Sequence, residues 1–181
     1  RLSAIDNLRY FAELYGLHPT VTQKRVHELL ETVGLLARGE DRVETFSSGM
    51  QQRLHLARAL MHDPELIFLD EPTTGLDPRS RGQVWDIVRN IASQGTTVLL
   101  TTQYMEEADR LCQRLAIIDA GRMVAEGAPR ELIRDHIEAQ VVEVYGEDAP
   151  AWAAKEAQAF SRRVEVSGET AFCYVEDAAP L

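Results

Sequence analysis

Apolar residues recur along this chain at two periods, and the switches between the periods mark out its elements. Leu8, Phe11, Ala12 and Tyr15 fall on one side of a helix that should end near Gly16. Val26, Leu29, Leu30 and Val33 repeat the pattern up to Gly34. His18–Pro19 breaks the chain between the two, and Thr20 or Thr22 stands where it can cap the second helix. Residues 1–45 are therefore expected to be all-helical. A third helix is predicted from about Ser48 to Met61, with Met50, Leu54, Ala57 and Met61 on one face and Asp63–Pro64 ending it.

The period then changes. Leu66–Ile67–Phe68–Leu69 is an unbroken apolar run, the pattern of a strand buried on both faces. Asp77 and Pro78 are N-cap and first-turn residues of a helix whose inner stripe is Val84, Ile87, Val88 and Ile91. Thr97–Thr101 is a second buried strand. A short helix follows, opening with Glu106 and Glu107 at its positive end. Leu115–Asp119 is a third strand, and Gly121 turns the chain into a hairpin partner at Arg122–Glu126. Pro129 starts a short helix through Ile133. From about Ala139 the pattern changes again. Val141–Tyr145 suggests a strand, Ala151–Phe160 an Ala-rich helix, and Arg163–Val166 with Ala171–Val175 two strands around Gly168. Alternating helices and strands argue for an α/β protein. The expected organisation is a helical subdomain over 1–62, a partial core over 63–135 and a small α/β appendage over 136–181.

Composition narrows the function classes. A chain of 181 residues with 45% hydrophobic content can bury a core for one domain and an appendage. A net charge of -10 argues against nucleic acid as the main partner. Cys112 and Cys173 lie far apart without metal-ligand spacing, as in a cytosolic protein with reduced thiols. No apolar run approaches the roughly 20 residues that cross a bilayer. If the protein serves transport, another chain or segment forms the membrane path. The start at Arg1 rather than Met suggests a fragment.

Three segments carry candidate chemistry. Ser47–Ser48–Gly49 at a helix start offers free backbone N–H groups, two hydroxyls and a positive dipole end, which suit a phosphate. A structural explanation competes well, because Ser48 and Gln51 also fit a capping box. Asp70–Glu71 follows a wholly apolar strand. Buried carboxylates are costly, so the strand should end there and present both to a cleft. Asp70 suits Mg²⁺, directly or through water, and Glu71 suits polarising an attacking water. Gln103 stands just past the second strand, at the same edge if the strands are parallel. Its amide can touch a phosphate oxygen or a water, or simply be solvated. His18, His55 and His62 share no ligand spacing, and Trp152 is expected to pack rather than recognise.

Together these motifs resemble the ATP-binding cassette ATPases, the motor domains of ABC transporters. The resemblance covers about residues 2–135. Phe46–Ser47–Ser48–Gly49–Met50 is similar to the family signature, usually LSGGQ, and Leu66–Glu71 to Walker B with its catalytic glutamate. Thr74–Gly75–Leu76–Asp77 resembles the D-loop, and Thr101–Thr102–Gln103 occupies the switch position. Phe46, Ser48 and Met50 depart from the signature; Gln103 replaces the usual His and cannot shuttle a proton. Gln103–Asp109 with an appended C-terminal region is similar to the daunorubicin-resistance type of multidrug exporter.

The resemblance implies a P-loop NTPase (RecA-like) core and a head-to-tail homodimer that sandwiches ATP and Mg²⁺. Glu71 and Gln103 would be catalytic and Asp70 the metal ligand. Ser47, Ser48, Gly49, Met50 and Asp77 would contact nucleotide, Ser47 and Gly49 serving ATP held by the partner. A transmembrane permease is the expected second partner, reached through the helical lobe from the cytoplasmic face of the cell membrane. Yet no G-x-x-x-x-G-K-S/T phosphate loop occurs in the chain. Its strand would belong between 97–101 and 115–119. The 181 residues alone are expected neither to bind ATP tightly nor to hydrolyse it, and to self-associate through uncovered edges and apolar surface. Two other readings stand beside the exporter ATPase: a soluble ABC-type ATPase of DNA repair or translation, and a non-catalytic interaction module. The appendage is expected to serve dimerisation or regulation.

Overall fold

The computed structural model describes residues 2–136 and 140–175, so the pattern change expected near Ala139 lies outside the described residues. The chain forms two compact units, residues 1–111 and 112–181. In the first, α1 (Ala4–Leu14), α2 (Pro19–Thr32) and α3 (Ser48–Ala59) precede β1 (Leu66–Asp70), α4 (Pro78–Ser93), β2 (Thr97–Thr101) and α5 (Met105–Leu111). Leu8, Leu30, Leu54, Ile67, Val84 and Ile91 belong to one buried cluster, so the helical lobe and the strands share a core.

Local chemistry explains the helix ends. Ser3 and Asp6 form a capping box on α1. On α2 the cap is His18, whose Nδ1 accepts from the Thr20 amide, and not Thr20 or Thr22. Pro19 lacks an N–H and is preset for the first turn, which moves the cap at least two residues earlier than expected. Two arginines close helix C-termini across the lobe. Arg53 on α3 donates to the Val33 and Gly34 carbonyls at 3.0 and 3.3 Å, and Arg25 on α2 donates to the Leu60 carbonyl at 2.7 Å. Arg53 satisfies carbonyls at the end of α2, Arg25 joins the Asp63 amide on the Leu60 carbonyl, and the pair fixes α3 against α2.

β1 and β2 pair in parallel, Leu66 opposite Thr97 through Asp70 opposite Thr101, with α4 as the crossover. Burial of these strands on both faces, expected from the apolar run, is corrected by the structure. Ile67 and Leu69 are buried, whereas Phe68 is 71% exposed and Leu66 and Leu99 are also exposed. Side chains alternate across a strand. The α4 stripe Ile87, Val88 and Ile91 shares a core with one face, while the other meets solvent. Among the described residues β2 pairs with β1 alone.

In the second unit β3 (Leu115–Asp119) and β4 (Arg122–Gly127) form an antiparallel hairpin, followed by α6 (Pro129–His136). Ala120 and Gly121 both have positive φ, 47° and 73°, as a tight two-residue hairpin turn requires. β5 (Gln140–Tyr145), α7 (Ala149–Lys155), β6 (Arg163–Ser167) and β7 (Thr170–Val175) follow, with sheet order β5-β7-β6. The Ala-rich helix is shorter than its composition predicts: α7 gives way to a 3₁₀ turn at Ala157–Ala159. Ala149, Ala153, Ala157, Ala171 and Cys173 form this unit's core, with Trp152 packed against it. No helix among the described residues is long and apolar enough to cross a membrane.

Candidate functional site

The parallel pairing brings Asp70, Glu71 and Gln103 to the carboxyl ends of adjacent strands, the edge where open α/β sheets bind ligands. Thr101 organises them. Its hydroxyl donates to Asp70 Oδ1, while its Oγ1 and carbonyl oxygen accept from the Glu71 amide at 3.2 and 3.1 Å. Glu71 has a φ of 44°, uncommon for a side-chain-bearing residue and costing about 1–3 kcal/mol where the surroundings must enforce it. The Thr101 bonds supply that enforcement. The Glu71 carboxylate is held in turn, Oε2 accepting from the Thr74 hydroxyl at 2.9 Å. Asp70, Glu71 and Gln103 are all exposed, so the strained turn presents a fixed pair of carboxylates to solvent.

The α3 tip is built differently. Ser47 is the N-cap, its Oγ accepting from the Met50 amide at 3.3 Å. The capping box expected between Ser48 and Gln51 is not formed. Gln51 instead donates to the Phe46 carbonyl at 3.2 Å, because burial of Phe46 and Gly49 places the first turn one residue earlier than that pairing needs. Ser47 and Ser48 are exposed and Met50 half-buried. A Cβ on Gly49 would meet Ser80 Oγ at 2.5 Å and Ser80 Cβ at 2.7 Å. Gly49 is thus required for α3 to approach the first turn of α4, whatever else it contacts.

Asp77 caps α4, accepting from the Arg79 and Ser80 amides at 3.0 Å each. The Ser80 hydroxyl, with these amides, holds the Asp77 carboxyl below the ordinary aspartate range. Asp77 therefore meets the α3 tip through Ser80, separately from the strand-end carboxylates. The parts that sequence alone missed are the two threonines, Thr74 and Thr101, that aim the carboxylates. Thr74, three positions after Glu71, carries a weak local signal, whereas Thr101 carries none, because only strand pairing brings it to Asp70 and Glu71. No group of three or more His, Cys, Asp or Glu side chains among the described residues could hold a metal by itself. A divalent cation at Asp70 would take its remaining ligands from phosphate and water, which suits Mg²⁺.

Comparison with known proteins places two parts of the chain. Residues 2–74 match the ABC transporter family model, and residues 150–181 match the model of the C-terminal domain of the nodulation factor export protein NodI. The Nod factor export ATP-binding protein I of Cupriavidus pinatubonensis is 47% identical over 179 residues, covering 99% of this chain and 55% of the relative. Its counterpart in Burkholderia thailandensis is 48% identical over 176 residues, covering 97% and 58%. That in Ralstonia nicotianae is 47% identical, covering 97% and 54%. The chain thus spans a little over half the length of the curated relatives it matches.

Proposed function

The chain belongs to the ABC transporter ATPase family, and from that premise we propose that it forms part of the ATP-hydrolysing subunit of an exporter. The carrying observation is the strand-end turn in which Thr101 and Thr74 hold Asp70 and Glu71. Phosphoryl transfer asks a protein chiefly to position groups and neutralise charge. Mg²⁺, when bound, would supply charge neutralisation on the nucleotide, and Asp70 is the residue that would hold it. Glu71 accepts a proton from, or orients, the attacking water, and its strained φ keeps it aimed. Gln103 holds that water or a phosphate oxygen by hydrogen bonding alone. Ser47, Ser48, Gly49 and Met50 offer the amides and hydroxyls of a helix N-terminus to ATP carried by a second ATPase domain, with Asp77 beside them.

The phosphate loop and its lysine are absent from these 181 residues, so we propose that residues outside them supply it. Transport needs a permease partner. Tyr10, Leu14, Tyr15 and Val21, exposed on α1 and α2, support the helical lobe as the surface that meets it. We place the subunit at the inner face of the cell membrane. A hydrophobic compound is the proposed cargo, a Nod factor being what the relatives are named for. The test is ATP turnover in protein that includes a phosphate loop. Glu71→Gln should lower kcat by about 10²–10⁴-fold while nucleotide still binds. Turnover that survives this change would overturn the assignment.

A further inference from the structure

Glu107, in the first turn of α5, is wholly buried. A side chain expected to complement a helix dipole from solvent has instead been drawn into the protein. Its Oε1 accepts from the Thr73 hydroxyl at 2.9 Å and from the Trp85 indole N–H at 2.8 Å, while its Oε2 is buried without a hydrogen-bond partner among the described residues. Thr73 is also fully buried. A buried carboxylate with one idle oxygen costs free energy that an apolar residue would not. Such a group calls for an explanation.

Its partners supply one. Thr73 lies in the turn between Glu71 and Thr74, the two residues already joined by the Thr74–Glu71 bond. Trp85 lies on α4, the helix capped by Asp77. Glu107 lies four residues beyond Gln103, its amide bonded to the Tyr104 carbonyl at 3.0 Å. Two cation–π contacts flank the junction, Arg110 over Trp85 at 5.2 Å and Arg81 over Tyr104 at 4.8 Å. One oxygen therefore joins the Glu71 turn, the α4 helix and the segment that carries Gln103.

We infer that Glu107 is a positioning residue for hydrolysis, a clamp that makes Glu71 and Gln103 move as one piece with α4. This rests on the proposed ATPase role. Thr73→Val removes the hydroxyl, keeps the volume and cuts only the tie to the Glu71 turn; Thr73→Ser restores it. Two readouts are needed. In the 181-residue chain, amide hydrogen exchange should rise several-fold at both 71–74 and 101–104 in Thr73→Val and Glu107→Gln, with α2 unchanged and Thr73→Ser close to wild type. In protein that includes a phosphate loop, Thr73→Val should lower kcat about tenfold at unchanged KM for ATP and add nothing in a Glu71→Gln background, because it acts through Glu71. Unchanged exchange at either segment, or unchanged kcat in a protein whose wild type turns over, overturns the clamp. Raised exchange in a protein whose wild type never hydrolyses ATP keeps the clamp and overturns the ATPase reading.

Discussion

Single residues at this site meet two demands at once. Ser47 caps a helix while it and Ser48 face solvent, and Gly49 is needed for packing before any ligand is considered. Gly49→Ala should cost about 1–3 kcal/mol, measured by denaturant unfolding, because the new methyl drives into Ser80. Gly49→Ala with Ser80→Gly should be more stable than the sum of the two single changes. Asp77 carries a pH signature. Its carboxyl titrates lower in the folded chain than unfolded, where aspartate sits at about 3.9. The stabilisation is therefore complete above that pH and is lost as pH falls through the lowered folded value. Asp77→Asn should flatten the acid limb of a stability–pH curve below about pH 4. Glu71 shows where residue-level reading stops: its acidity is plain in the sequence, but its positive φ depends on Thr101, thirty positions on.

Elements were legible wherever one face of a helix had to be apolar. The stripes of α1, α2 and α4 follow from the spacing of Leu8, Leu29 and Val84, since burial of one stripe is what makes such helices stable. Leu30→Ala should accordingly cost about 2–5 kcal/mol in thermal or denaturant unfolding. The strands were legible in position but not in burial. An apolar run such as Leu66–Leu69 reports what a strand can bury, not what lies over it, and only one face of β1–β2 is covered. Helix starts were legible to within about two residues at α3 and α7 and less well at α2. His18 in place of a threonine, and Ser47 in place of Ser48, were decided by Pro19 and by the burial of Phe46. Glu107 escaped notice because a glutamate in a first turn has an ordinary explanation, and only tertiary packing shows that it faces inward.

At the scale of the molecule, the proposed function is one in which these 181 residues do not complete a site alone. The exposed face of Leu66, Phe68 and Leu99 is apolar, and it should drive self-association of the 181-residue chain. Phe68→Ser with Leu99→Ser should reduce light scattering at equal concentration, with each change altering stability by no more than about 0.5 kcal/mol. The same incompleteness holds for catalysis, where strand-end carboxylates and the α3 tip are proposed to serve different nucleotides. Mixing two inactive variants of a phosphate-loop-containing protein tests that claim most directly. Ser47→Arg spoils the tip and Glu71→Gln spoils the carboxylate, so a mixed head-to-tail dimer holds one intact site and one doubly damaged site. Turnover recovering to about a quarter of wild type after random re-pairing is the predicted result, since half the dimers are mixed and each has one working site of two. A mixture no more active than either variant alone would contradict the account.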